Sequence, residues 1–298
     1  NIGSYTVLLW HFGQYSPRDN RFARNILSAV KRVGLKVFPE YNAYYHFDDK
    51  LIQQYLFKSL NIAAPKSAIV FSQDEAESLE VEYPVVAKLR NGSGSTNVTL
   101  LGDEREYLEY VRRAFGRGIN STPSAIFKLN SNLRSITSWR HFVDRLQRIA
   151  DFRISRSNAA GLEIERGYVY FQEFIENDGY DLKVVCAFGL ISFICRRVRK
   201  GDFRASGGGA NYYDRELITP DILNLCREAS DKLGVKCMGY DLVVDKYGKP
   251  YIVEMSYGFS YRALLEAGGY FDLKNEWVDE PLNVPRLVLD YYADISKN

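Results

Sequence analysis

The segment from Gly239 to Ser256 constrains this chain most. It reads Gly239-Tyr-Asp-Leu-Val-Val-Asp, then Lys246-Tyr-Gly-Lys249, then Pro250-Tyr-Ile-Val-Glu-Met-Ser256. Two apolar, β-branched runs around a glycine-containing turn predict a β-hairpin. With the turn centred on Tyr247 and Gly248, paired positions sum to a constant, so Asp245 meets Pro250 and Asp241 meets Glu254. Like charges directly opposite each other on one sheet face destabilise the pair. The reading therefore calls for a divalent cation between them. Oxygen-only donors suit Mg²⁺ or Mn²⁺ better than zinc. The competing reading is two solvated carboxylates on an exposed face. A register slip of one residue would also send the pair to opposite faces.

Composition narrows the class. Of 298 residues, 46% are hydrophobic and 26% charged, which suits a soluble globular protein with a sizeable core. A net charge of +2 supplies no global field toward nucleic acid or membrane. No apolar run approaches a membrane span, and Asn1-Ile-Gly-Ser-Tyr5 does not read as a secretory signal. Cys186, Cys195, Cys226 and Cys237 form no CxxC and sit in apolar or helical surroundings. Buried reduced thiols in a cytoplasmic protein are expected. The three histidines, His11, His46 and His141, supply zinc or Ser-His-Asp chemistry poorly.

Along the chain the pattern is mixed α/β (α+β). Residues 5–10 read as a strand. Residues 21–33 read as a helix with Phe22, Ile26, Val30 and Val33 on its apolar face, and 35–38 as a second strand. This βαβ piece sets an expected boundary: 1–46 as a small N-terminal α/β unit, 47–298 as the main domain. Asp48 is placed to cap a helix that runs to about residue 60. Strands are expected over 67–71, 84–89 and 98–101, the last two as a hairpin around a small-residue loop, with a helix over 104–115. Residues 117–166 form a basic insertion, with nine Lys or Arg against four acids. Its plain reading is a solvated surface, and its functional reading is a lid or docking face for an anion. A helix is expected over 138–150. Strands follow over 168–175 and 182–199, then a glycine-rich loop over 200–213. Thr219 is expected to cap a helix with Pro220 at its first position and Ile222, Cys226, Ala229 and Leu233 on one face, ended by Gly234. A last helix begins at Val284.

Three further segments carry chemistry. Lys88, followed by Leu-Arg-Asn-Gly-Ser-Gly-Ser-Thr96, can hold phosphates through its ammonium and the loop's backbone N–H groups. Tyr170-Phe-Gln-Glu-Phe-Ile175 can present Gln172, Glu173 and backbone groups to adenine, with Asp181 near ribose hydroxyls. In Arg196-Arg-Val-Arg-Lys-Gly-Asp-Phe-Arg204, alternation puts Arg197 and Arg199 on one face for phosphoryl oxygens. Singly, each also reads as an ordinary turn, strand or basic edge.

Their order is more specific. Lys50, Lys88, Gln172 to Ile175, Asp181, Arg204, Asp241 and Glu254 succeed one another as in the ATP-grasp superfamily, and the chain resembles its RimK-type carboxylate–amine ligases over roughly residues 48–262. The resemblance implies a nucleotide held between two α+β subdomains. Lys50 and Lys88 would contact phosphates, Gln172, Glu173, Phe174 and Ile175 would line adenine, and Asp181 would hold ribose. Lys183 and Arg204 would meet the triphosphate or acyl phosphate as catalytic groups. Asp241, Glu254 and Ser256 would ligate Mg²⁺ or Mn²⁺. The family usually carries asparagine where this chain has Ser256, a weaker ligand. The loops 92–97 and 201–209 are expected as lids. The implied partners are small-molecule carboxylate and amine substrates.

Tyr5-Thr-Val-Leu-Leu-Trp-His-Phe-Gly13, Phe47-Asp-Asp-Lys50 and Glu254-Met-Ser-Tyr-Gly-Phe-Ser260 resemble ATP-grasp ligases linked with cell-surface polysaccharide synthesis. That likeness implies sugar-linked or amino-acid-conjugate substrates. An ATP-grasp kinase and a nucleotide-binding module without turnover are the alternatives, and homo-oligomerisation is left open.

Overall fold

The computed structural model describes residues 4–13, 17–92, 97–121, 164–198 and 211–296. The helix expected over 138–150, most of the two expected lid loops, Arg199 and Arg204 lie outside the described residues.

The N-terminal unit is a βαβ. Strands β1 (Val7–Leu9) and β2 (Lys36–Phe38) pair in parallel, joined by helix α1 (Pro17–Arg32). The buried stripe of α1 is Asn20, Ala23, Leu27 and Val30. Of the expected face, Val30 is buried and Ile26 packs against the core, while Phe22 and Val33 are 60% and 65% exposed. The stripe at positions 20, 23, 27 and 30 keeps helical spacing while placing the smaller Ala23 against the core.

A four-stranded antiparallel sheet follows, ordered β3 (Ser67–Val70), β8 (Val169–Glu173), β4 (Val85–Lys88), β5 (Val98–Leu101). Between β5 and β8 in sequence, the short strands β6 (Ile119–Asn120) and β7 (Ile164–Glu165) form a separate antiparallel pair. A helix over Glu104–Phe115, capped by Asp103, packs Tyr107, Tyr110, Val111 and Ala114 under this sheet.

The larger sheet has seven strands. Strands β9 (Tyr180–Ala187), β10 (Leu190–Arg197), β11 (Asn211–Tyr212), β12 (Cys237–Val244), β13 (Pro250–Ser256), β14 (Tyr270–Phe271) and β15 (Trp277–Val278) make it up. The order is β13-β12-β9-β10-β14-β15, with β11 beside β10. The single strand expected over 182–199 is two, folded back at Phe188 and Gly189, both at positive φ. A continuous apolar run hides such a turn, because both faces of this sheet are covered.

One face of the large sheet buries Leu182, Val184, Phe193, Tyr240 and Ile252 against the N-terminal unit and the helix Pro220–Leu233. That helix buries Ile222, Cys226, Ala229 and Leu233 as expected and ends at Gly234 in the left-handed region (φ 64°), but Thr219 at its start makes no side-chain cap hydrogen bond. Each such aliphatic or aromatic side chain contributes about 1.5–3 kcal/mol on burial. All four cysteines are buried free thiols. The last helix runs Val284–Ser296. Among the described residues, no helix is long and apolar enough to cross a membrane.

Candidate functional site

The hairpin forms, and Asp241 pairs with Glu254. The turn itself does not set that register. Next to the turn Val244 pairs with Pro250, not Asp245, and Leu242 with Ile252. Carried onward, this register would put Asp241 opposite Val253 and turn Glu254 into the core. A β-bulge between Asp241 and Leu242 inserts Val253 as an extra residue. Val253 and Glu254 are consequently both half-buried, between buried Ile252 and buried Met255. The bulge brings Glu254 onto the face that carries Asp241.

That face is rich in cations, which offset part of the like charge of the facing carboxylates. Asp241 pairs with Lys183 of β9 across the sheet, and Lys183 Nζ lies 2.7 Å from Asp241 Oδ1. Arg196 Nη2 contacts the same oxygen at 2.9 Å, while Arg196 Nε donates to Asp181 Oδ1. Glu254 Oε1 is 3.5 Å from Lys50 Nζ. Burial pushes the Asp241 carboxyl up, but Lys183 and Arg196 outweigh it and hold the group below its ordinary value. Burial dominates at Asp181 and raises it to about 6 despite Arg196. Arg196, raised by its two carboxylates against the effect of burial, was missed in the sequence. Alternation puts Arg197 and Arg199 on one face, expected to meet phosphoryl oxygens. Strand pairing puts Arg196 opposite Asp181 on the site face, and Arg197 lies outside over the Tyr212 ring.

Lys88 enters from the small sheet. It ends β4 and is 7% exposed. Its Nζ donates to Gln172 Oε1 at 2.6 Å and to the bulge carbonyl of Val253 at 3.4 Å. Gln172 Nε2 donates to Tyr170 Oη at 3.1 Å, and Tyr170 Oη to Gln54 Oε1 at 3.0 Å. Gln172 lines the cleft, and its side chain holds the lysine. Burial lowers Lys88 to about 8, with Glu254 opposing and the like charge of Lys50 adding to the fall.

Lys50 opens helix α3 (Lys50–Ser59). The cap is Asp49, whose side chain accepts from Ile52 N, not Asp48 as expected. Asp48 sits at φ 55° and accepts from Gly92 N at 2.9 Å. Burial raises it to about 6. Lys50 Nζ donates to the Gly92 carbonyl. Gln53 of the same helix donates to Met255 O (2.9 Å) and accepts from Met255 N (3.1 Å), completing the edge of β13. This two-way bond docks α3 on the hairpin and sets Lys50 against Glu254.

Between the two sheets is an open cleft with about 820 Å³ of empty space, counted out to bulk solvent. Lys50, Lys88, Gln172, Glu173, Phe174, Ile175, Asp181, Asp241 and Glu254 all line it. Asn177, Tyr180 and Val243 line it too and were not anticipated. Lys183 does not line it and is engaged with Asp241. Ser256 does not line it either, and its Oγ accepts from Gly258 N at 3.0 Å. Among the described residues, no three His, Cys, Asp or Glu side chains gather as a metal cluster. Two facing carboxylates remain, a hard-oxygen set that fits Mg²⁺ completed by phosphate oxygens and water.

No family model and no curated protein matches the chain. Solved structures do match in fold. A RimK domain ATP-grasp protein from Sphaerobacter thermophilus aligns with TM-score 0.52 at 16% identity, covering 89% of this chain and 77% of that one. A biotin carboxylase from Campylobacter jejuni, bound to an ATP analogue, aligns with TM-score 0.53 at 14% identity, covering 87% and 50%. The biotin carboxylase domain of a Hydrogenobacter thermophilus 2-oxoglutarate carboxylase, with magnesium ADP, gives 0.53 at 15%, covering 87% and 49%. The chain thus spans about half the length of the two carboxylases.

Proposed function

From an ATP-grasp fold, we propose that this protein is an ATP- and Mg²⁺-dependent ligase that joins a carboxylate to an amine through an acyl phosphate. The observation that carries the reading is the convergence of Lys50 and Lys88 on Asp241 and Glu254 inside one cleft between two sheets. Two lysines suit a triphosphate, and two facing carboxylates suit its metal. Asp241 and Glu254 would hold Mg²⁺, which when bound neutralises phosphate charge.

The residues of this chain do the rest. Lys88, preset by Gln172, and Lys50, preset by Glu254 and Gly92, bind phosphate oxygens. The segment Glu173 to Ile175 borders adenine, and Asp181 is the candidate partner for ribose once it exchanges part of its bond to Arg196. Lys183 acts as a positioning residue, fixing the Asp241 carboxylate. A carboxylate is a poor electrophile because its charge repels a nucleophile. Its oxygen attacks the γ-phosphorus and ADP leaves. An amine then attacks the acyl carbon, phosphate leaves with the C–O bond electrons, the nitrogen gives up a proton to the departing phosphate, and an amide forms. The reaction needs positioning and charge neutralisation more than a nucleophilic side chain, in keeping with four buried thiols and few histidines. The resemblance to polysaccharide-linked ligases points to a sugar-linked acid or amino-acid conjugate.

The test is incubation with Mg²⁺, ATP, hydroxylamine and a panel of amino acids and uronic acids. A hydroxamate formed in step with ADP is expected. ADP release across the panel without hydroxamate overturns the ligase reading, and a phosphorylated product stable to hydroxylamine assigns a kinase.

A further inference from the structure

Behind the wall that carries Lys50 lies a second cleft, with about 750 Å³ of empty space. Asn20, Arg21 and Arg24 line it from α1, and Asp49, Arg90 and Asn91 line it from the wall. The wall is one residue thick in sequence. Asp49 faces the second cleft and its neighbour Lys50 the first, and Asn91 and Gly92 divide in the same way. Lys50 N donates to Arg90 O at 2.9 Å, and Gly92 N to Asp48 Oδ1 at 2.9 Å, binding the two segments of the wall together.

The charges of this cleft are unevenly matched. Arg90 grips Asp49 through Nε at 2.8 Å and Nη2 at 2.6 Å, so that pair is complete. Glu165, which also lines the cleft, accepts from Asn91 Nδ2 at 3.2 Å and from Tyr168 Oη at 3.1 Å. Arg24 is different. Its Nη2 donates to the carbonyl of Phe47, a neutral acceptor, and its Nε is buried without a hydrogen-bond partner. Asn20 is only 5% exposed, and its Oδ1 is likewise buried without one. Burial lowers the Arg24 pKa, and the nearby Arg90 works against the attraction of Asp49. Exposed Arg21 adds a third guanidinium at the mouth.

Arg24 lines this polar cleft half-buried, with its Nε–H unused, and a partly desolvated guanidinium short of a partner is costly unless something completes it. Planar guanidinium groups take carboxylate and phosphate oxygens in preference to other partners. We propose that this cleft is a second anion site, which takes the carboxylate or phosphate group of a small molecule other than the nucleotide. Only the identity of that molecule as a ligation substrate rests on the ligase reading; the binding of the anion does not. The shared wall gives the site a direct route to the nucleotide cleft, because Asp49 and Arg90 are continuous with Lys50 and Gly92.

The test is calorimetric titration of the full chain with inorganic phosphate and, separately, with succinate, each with and without a saturating non-hydrolysable ATP analogue and Mg²⁺. At least one probe is expected to bind with the analogue present. Arg21→Glu, at an exposed position, should weaken that binding about tenfold or more and leave analogue affinity unchanged. Arg24→Lys keeps the charge, removes the fork, and should weaken it likewise. The tighter probe tells phosphate from carboxylate. Binding abolished by the analogue, binding indifferent to both variants, or no binding of either probe overturns the proposal. If the anion binds and the analogue does not, the nucleotide reading falls and the second site stands.

Discussion

Lys88 Nζ lies 2.6 Å from Gln172 Oε1, a neutral amide in the adjacent strand, rather than against a carboxylate. The lysine is thereby aimed at the cleft without its charge being cancelled. A carboxylate in place of the amide would hold the ammonium more tightly and compete with an incoming phosphate. Lys88→Met is expected to abolish most nucleotide affinity, on the order of a hundredfold. Stability should be unchanged or higher, since a buried cation is replaced by an apolar chain of similar length. Gln172→Leu should do the reverse to the fold: it leaves the ammonium with only the Val253 carbonyl and should cost about 1–3 kcal/mol. Paired urea unfolding and nucleotide titration of the two variants check this.

The depressed Lys88 pKa makes nucleotide binding proton-linked. In the free protein the group titrates near 8, and a triphosphate beside it favours the charged form. Between pH 8 and about 10, binding should therefore take up a proton, and affinity should fall as pH rises. The sign for folding is opposite. The unfolded lysine binds its proton more tightly than the folded one, so the penalty for burying the charge is full below pH 8 and is relieved as pH rises toward the unfolded value. Calorimetry in buffers of different ionisation enthalpy at pH 8.5 should show the uptake in the natural chain and none in Lys88→Met. Equal heats across buffers for the natural chain would refute the linkage.

Arg196 ties Asp181 to Asp241, so its removal leaves two largely buried carboxylates facing each other. Arg196→Met should destabilise the fold by about 3–5 kcal/mol at pH 7. The loss should shrink toward pH 5. Asp181 already titrates near 6 beside the arginine, so without it the group would be protonated more readily and the repulsion would fade. Urea midpoints of the variant and natural chain, compared at pH 5 and pH 7, test the sign. A difference that does not narrow on acidification would show that packing of the arginine stem, not charge, is what was lost.

Much of the site was legible because it depends on local pattern. The carboxylate hairpin, the lysine ending a buried strand and the helix Pro220–Leu233, opened by its proline and ended by Gly234, each follow from period and turn residues. What escaped depends on partners distant in sequence. The bulge at Val253 is invisible in the alternation of β13 alone, and the turn-derived register reached the right acid pair through a wrong neighbour. The inward face of β10 is chosen by its pairing with β9, which the strand's own residues cannot report, so Arg197 was read in the place of Arg196. Asp48 and Asp49 are equivalent cap candidates in sequence. Only the approach of Gly92 assigns one to the loop and the other to the helix.

Ser256 is opposite Gly239 at the end of the hairpin, and its hydroxyl is occupied by the N–H of Gly258. It closes a local turn and contributes nothing to the cleft lining. Ser256→Asn replaces that hydroxyl with a longer amide on the side of the sheet that carries Glu254. The room is limited, since a Cβ at Gly258 would already lie 3.1 Å from the Phe47 ring and 3.5 Å from Ser256 Oγ. The amide should therefore extend along the strand toward Glu254 and act as an added oxygen donor. Mg²⁺ affinity measured with a bound ATP analogue should rise about three- to tenfold, one neutral hydrogen-bond-scale contact, with a modest fall in thermal stability from the broken turn. If Mg²⁺ affinity is unchanged while stability falls, Ser256 belongs to the turn alone, and Asp241 with Glu254 is the whole protein contribution to the metal.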